Sequence, residues 1–363
     1  QHDGFTFASD ADFVITGEVY TGENKPEGPF GDHLGYYSLK HDFPVMRVNK
    51  VYHRKNAIWP FTVVGRPPQE DSVFGWLVHE LTGSAMQDEI PGIKAVHAVD
   101  NSGVHPLLLA IGSERYTPYA KERKPAEILT IANRILGTGQ LSLAKFLFIC
   151  AQEDNPSLDI HNIKDFFAHM LERIDFSRDL HFQTKTTIDT LDYSGTGLNE
   201  GSKLVFAAAG EKKRSLSNEV PELNLPDGYH NLKMVMPGVL VISAPEFSDY
   251  SCAKQQMNQL TASLKDQESS LNGIAMITVC NDSEFTAKNL DNWIWVTFTR
   301  NNPSHDVSGV NEFTENKHWG CRGPLILDSR TKTHHAPPLE KDAAIERKID
   351  RFFVKKASLG GIA

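Results

Sequence analysis

The sequence lacks the marks of several common protein classes. No apolar run approaches the roughly 20 residues needed to cross a bilayer, and the polar opening Gln1-His2-Asp3-Gly4 predicts no secretory leader. Cysteine is scarce. Cys150, Cys252, Cys280 and Cys321 form no C-x-x-C pair, which excludes a zinc knuckle and a thioredoxin-type motif. Four cysteines in 363 residues also make no disulfide scaffold. A basic excess is missing as well. The net charge of -9 and pI near 5.9 argue against a nucleic-acid backbone or an anionic membrane as the main partner. The expected location is the reducing cytoplasm.

What is present reads as an ordinary globular chain, 40% hydrophobic and 23% charged, long enough for two or three domains. The first residue is not Met and stands just ahead of a strand-like segment at 11–19, so a fragment of a longer protein is expected. The early stretch is strand-rich. Residues 12–19, 43–52 and 57–65 carry partial period-2 patterning, separated by Gly, Pro and Asn. Arg66-Pro67-Pro68 ends it, because proline cannot continue a central strand.

Beyond residue 70, helical and strand patterns alternate. Residues 73–86, 124–136 and 162–174 have helical spacing, while 105–112 and 145–151 are short apolar runs of the kind buried on both faces. This alternation predicts an α/β domain with a largely parallel sheet. An internal repeat is also visible. Leu107 to Ile111, then Glu114 and Ala120-Lys121, recurs as Val239 to Ile242, then Glu246 and Ala253-Lys254. Cys150 recurs as Cys280, Asn162 to Arg173 as Asn289 to Arg300, and Asp179 as Asp306. Domains are therefore expected at 1–70, 71–235 and 236–363, the last two being copies. Residues 209–228 form a polar excursion between the copies. Ile345, Ile349, Phe352 and Phe353 give the tail a helix expected to pack on a neighbour.

The densest cluster of chemical groups is Glu27-Gly28-Pro29-Phe30-Gly31-Asp32-His33-Leu34-Gly35-Tyr36-Tyr37. Gly28, Pro29 and Gly31 impose a tight non-helical path between two acids. Two carboxylates aimed into one pocket push their pKa values apart, so one can hold a proton near neutral pH while the other stays charged. That arrangement could deliver a proton to a carbanion. On spacing alone the competing reading is a solvated acidic turn.

This motif resembles the signature of the UbiD-like decarboxylase family. Phe43-Pro44-Val45, His53-Arg54-Lys55-x-Ala57-Ile58 and Thr62-Val63-Val64-Gly65-Arg66-Pro67-Pro68 follow in matching order. Tyr119-Ala120-Lys121, Lys145-Phe146, Arg173 with Asp179, and Gly201-Ser202-Lys203 continue the resemblance. It implies a split β-barrel of the flavin-reductase-like kind holding prenylated FMN, followed by an α/β domain used in oligomerisation. The implied reaction is non-oxidative decarboxylation, in either direction, of an aromatic or α,β-unsaturated acid. Glu27 and Asp32 match the family's two acids. The resemblance further places Lys145, Pro29 and Phe30 at the cofactor and His33 and Thr62 at the substrate. For Lys145 an exposed strand-end lysine is the competing reading. The family's Arg, and the ligands of the divalent metal (Mn) that bridges the flavin phosphate, lie upstream of the first acid. No metal ligand is assigned in this chain, and a fragment without those residues is expected to lack the cofactor and to be inactive alone. Pro60-Phe61-Thr62 departs from the His-containing pattern of phenolic-acid enzymes.

Other signals are set aside. His79-Glu80 lacks the second His of H-E-x-x-H, and residues 197–203 have the wrong order for a P-loop. His334-His335 reads as a loop pair, and His161 and His169 as surface residues. Cys150, Cys280, Trp293 and Trp295 read as core. The alternative function is an assembly module without catalysis of its own, and a further one is a plain FMN oxidoreductase. The expected partners are a small organic acid and further copies of the chain, with neither nucleic acid nor membrane insertion.

Overall fold

The computed structural model describes residues 4–62 and 64–361, with the side chains of residues 71, 82, 84 and 85 excepted. Two compact units form: residues 1–66 with 336–363, and residues 67–335.

In the first unit, β1 (Phe13–Glu27) pairs antiparallel with β2 (His41–His53) from Phe13↔His53 to Glu27↔His41. The register shifts at Thr16/Gly17, where any side chain on residue 17 would collide with the Arg47 carbonyl, and again between Val19 and Asn24. The ribbon's apolar side chains are not covered: Val19 is 60% and Val51 57% exposed. Among the described residues no third strand joins the ribbon. The strand expected at 57–65 does not form at its described positions. Pro60 removes a ladder donor there, and without a paired edge the segment has nothing to bond along.

The second unit begins with α1 (Glu70–Glu89), β3 (Ile93–Ala98), β4 (Leu107–Gly112), α2 (Glu127–Leu136) and β5 (Phe146–Ala151). Then come α3 (Ile163–Arg173), β6 (Leu180–Thr186) and β7 (Gly201–Ala208). The strands make one sheet in the order β3-β4-β5-β7-β6, with β4, β5 and β7 parallel and each outer strand antiparallel to its neighbour.

A second sheet follows from β8 (His230–Met236), β9 (Val239–Ser243), α4 (Tyr250–Lys265), β10 (Met276–Cys280) and α5 (Ser283–Ala287). The remainder is α6 (Leu290–Thr299), α7 (Pro303–Asp306), β11 (Val307–Gly309), a hairpin of β12 (Glu312–Glu315) and β13 (His318–Cys321), and β14 (Leu325–Asp328). Its order is β8-β9-β10-β14-β11, again three central parallel strands between antiparallel edges.

The apolar runs explain why the central strands are buried on both faces. Leu107, Leu109, Phe146 and Phe148 face Phe166, Phe167 and Met170 of α3, while Leu108, Ala110, Leu147 and Ile149 face Ile128, Ile131 and Ile135 of α2. The first of these clusters continues through Val239, Val241, Trp293 and Phe298, so the two sheets share a core. Within it Phe148 stacks on Phe206 at 4.1 Å. Asn162 and Asn289, matched by sequence, are both N-caps, accepting hydrogen bonds from the Asp165 and Asn292 amides. His169, expected at the surface, is instead 5% exposed on the buried side of α3. The run Phe166-Phe167-x-x-Met170-Leu171 turns position 169 inward as well, and burial pushes its imidazole pKa down to about 4.

The chain then returns to the first unit. The Tyr37 amide donates to the Pro337 carbonyl at 2.9 Å, and the Leu339 amide to the Gly35 carbonyl at 3.0 Å. The helix expected in the tail is α8 (Ala343–Phe353), capped by Asp342. Its apolar stripe is not packed on a neighbour within the chain: Ile345, Ile349, Phe352 and Phe353 are all exposed.

Candidate functional site

The acidic motif occupies the turn between β1 and β2. Gly28 has φ +85°, and a Cβ there would sit 2.9 Å from Ser38 Oγ, so the bend demands glycine. The turn closes on itself. Phe30 N donates to Ser38 Oγ (3.1 Å), Ser38 N donates to the Phe30 carbonyl (2.8 Å), and Asp32 N donates to the Tyr36 carbonyl (3.0 Å). Leu34, Tyr36 and Ser38 are buried. The returning segment at Pro337 and Leu339 brackets the same turn, and Gly31 leaves room for the Leu339 side chain.

The two acids meet different surroundings. Glu27, at the end of β1, is exposed. Asp32 is 9% exposed. Its Oδ1 accepts from the His33 amide at 2.7 Å and lies 3.0 Å from His33 Nδ1. Its Oδ2 is buried with no hydrogen-bond partner among the described residues. A buried carboxylate oxygen without a donor is costly to retain, and such an oxygen is where a proton or ligand would be received. The Asp32–His33 pair can hold a proton between a carboxylate and an imidazole.

Pro29 and Phe30 stand exposed beside this turn, Phe30 at 47%. Thr62 lies half-buried in an irregular segment. The loop carries no Lys or Arg between Glu27 and Tyr37. It could furnish acid–base groups but not a cradle for a phosphate.

Lys145 is not the exposed strand-end lysine of the competing sequence reading. It is 1% exposed, its Nζ is 2.7 Å from Asp192 Oδ2, and it donates to Ser194 Oγ at 2.6 Å. Burial pushes the ammonium pKa down, while Asp192 and Asp306 hold it up.

Sequence reasoning missed the rest of this buried polar system. Lys332 lies 3.2 Å from Asp306 and donates to the Arg300 and Asp328 carbonyls. Arg330 forks onto Asp328 at 2.9 and 2.7 Å and reaches Gln256 Oε1 at 2.6 Å. Burial raises the Asp306 pKa to about 6, against the pull of Lys332. The available signal was Asp328-x-Arg330-x-Lys332, three alternating charges that begin where the apolar run Leu325-Ile326-Leu327 ends. His105 likewise pairs with Asp189, two residues the sequence did not single out.

Comparison with known proteins places these features in context. The family model of the 3-octaprenyl-4-hydroxybenzoate carboxy-lyase Rift-related domain matches residues 2–67, and that of the C-terminal domain matches residues 72–208. An uncharacterised protein of Chlamydia trachomatis serovar D is 37% identical over 347 residues, covering 95% of this chain and 56% of that protein. A 4-hydroxybenzoate decarboxylase subunit from Chlamydia pneumoniae is 34% identical over 348 residues, covering 94% of this chain and 54% of that protein. The chain thus spans about half the length of the curated relatives it matches. Among solved structures, the vanillic acid decarboxylase of Sedimentibacter hydroxybenzoicus in closed form aligns with TM-score 0.46 and 21% identity, over 60% of this chain and 43% of that one.

Proposed function

Because the chain belongs to the UbiD family of 3-octaprenyl-4-hydroxybenzoate carboxy-lyases, we propose that the complete protein decarboxylates an aromatic or α,β-unsaturated carboxylic acid using prenylated FMN. Asp32 and Glu27 move the proton that replaces carbon dioxide. The observation that carries this reading is the buried Asp32 Oδ2 beside His33, without a hydrogen-bond partner among the described residues.

The flavin, when bound, supplies the electron sink for the carbon–carbon bond that breaks. As carbon dioxide leaves, the electron pair of the broken bond ends in a new carbon–hydrogen bond, whose proton comes from the Asp32 carboxyl group. His33 orients the carboxyl through Oδ1, which leaves Oδ2 as the atom that gives up the proton. Glu27, exposed at the end of β1, returns a proton from solvent. General acid catalysis of this kind contributes about 10²–10⁴-fold. Pro29 and Phe30 would border the flavin, and His33 and Thr62 the substrate. A Lys145 role at the cofactor phosphate would require its Asp192 pair to open, so we assign phosphate and divalent metal neither to Lys145 nor to the 27–37 loop.

A second reading is favoured by one observation: the two sheets have the same strand order and the same pattern of directions. We read the two sheet regions, residues 93–208 and 230–328, as copies of one unit, and residues 67–335 as the part that assembles the oligomer.

The test is carbon dioxide release by the complete protein supplied with prenylated FMN, using aryl and acrylic acids. Asp32→Asn and Glu27→Gln are expected to abolish turnover while leaving the circular dichroism spectrum unchanged. Near-wild-type turnover in both variants would remove these acids from the mechanism. A wild-type protein that assembles yet turns over no acid would favour the assembly reading.

A further inference from the structure

Three histidines from separate elements meet in the second unit, outside the acidic loop. His79 projects from α1, His97 from β3, and His161 from the turn ahead of α3. Their ring centroids are 5.8 Å (His79–His97), 4.9 Å (His79–His161) and 4.6 Å (His97–His161) apart. No ring nitrogen of the three has a hydrogen-bond partner among the described residues. His79 and His97 are half-buried and His161 is exposed. Three adjacent imidazoles with idle nitrogens are an odd way to build a surface, because each gives up hydrogen bonding and all repel one another once protonated.

We propose that His79, His97 and His161 form a binding site for a divalent transition-metal ion of the zinc class. The spacing suits it. With Zn–N bonds of about 2.0–2.1 Å, the centroid of a ligating imidazole lies about 3.2 Å from the metal, and two such rings on a tetrahedral ion have centroids about 5 Å apart. The rings now meet edge to face, at 62–87°. As placed, their nitrogens are not gathered to ligating distance, so binding requires the rings to turn about χ2, a torsion with broad freedom. Burial and the neighbouring imidazoles lower the pKa of His79 and His97, the latter to about 4. Asp159 adds negative charge: its Oδ1 accepts from the His161 amide at 2.9 Å, and it acts electrostatically on His97. Three imidazoles select zinc, cobalt, nickel or copper over magnesium and calcium, which take oxygen ligands. The fourth position is left to solvent or Asp159.

The experiment titrates the metal-free complete protein with Co²⁺ alone, reads the visible absorption of tetrahedral cobalt, and then displaces it with Zn²⁺. One equivalent with the tetrahedral spectrum is expected, apart from any Co²⁺ at the divalent site assigned above to the flavin phosphate. His161→Ala, on an exposed turn, is expected to weaken Zn²⁺ binding by at least about 10–100-fold, the loss typical even for residues that only support a ligand. His97→Ala should do the same, and His334→Ala should leave the affinity unchanged. If His97→Ala fails to fold, His161→Ala decides. The absence of a bound equivalent in the wild type, or unchanged affinity in His161→Ala, overturns the proposal.

Discussion

Among the described residues, the second unit pairs three of its buried cations with buried carboxylates, while the first buries a carboxylate and leaves one of its oxygens idle. Lys145 has Asp192, Lys332 has Asp306, and Arg330 has Asp328. Among the described residues Asp32 pairs with His33, and through one oxygen alone. The coverage of apolar surface differs in the same sense. Phe148 and Trp293 are fully enclosed, whereas Val19 and Val51 on the ribbon are bare. Where a buried polar group is satisfied, its contribution is to structure. Where it is left unsatisfied on a loop forced by Gly28, the fold retains a cost that stability alone does not explain.

The comparison can be broken most forcefully at Lys145. Lys145→Ala leaves Asp192 buried and uncompensated, and denaturant unfolding should register a loss of about 3–5 kcal/mol. A loss below about 1 kcal/mol would show that the pair is not the structural element described.

His169 offers an intermediate effect. Its pKa is lowered in the folded state, to about 4, so below the ordinary histidine value near 6.5 the unfolded chain takes up a proton that the folded chain refuses. Its contribution is therefore lost as pH falls from about 6.5 to 4. With allowance for solvent screening, His169→Gln should flatten stability against pH across that window by on the order of 1–2 kcal/mol. An unchanged slope would mean that the ring is solvated.

The smallest effect is expected at Asp32. Asp32→Asn should change unfolding free energy by less than about 1 kcal/mol, since one oxygen makes no bond to lose, even as turnover disappears. A large destabilisation would turn Asp32 into another structural pair member and erase the contrast.

How much of this was legible follows the same division. Leu107 to Ile111 and Phe146 to Ala151 are continuous apolar runs, and their strands appear as read. Asn162 marks the start of α3 through a local capping bond. Glu27 and Asp32 stood out because glycines and a proline crowd a short acidic stretch. What escaped was set by distant partners. Nothing near Lys145 announces Asp192, nothing near His161 announces His79 and His97, and no local pattern says that residues 57–65 lack an edge to pair with. The α8 stripe was readable as amphipathic, but its exposure was not, because periodicity identifies a face and not what covers it.

The hydrogen bonds from Tyr37 to Pro337 and from Leu339 to Gly35 also bear on how the protein is made. A ribosome finishes the acidic turn early, yet its bracing segment emerges only after both sheets have been synthesised. A nascent chain would therefore carry Asp32 in an unbraced loop until synthesis had passed Leu339. Prematurely terminated products that end in the second sheet should therefore lack the two hydrogen bonds that brace the loop around Asp32.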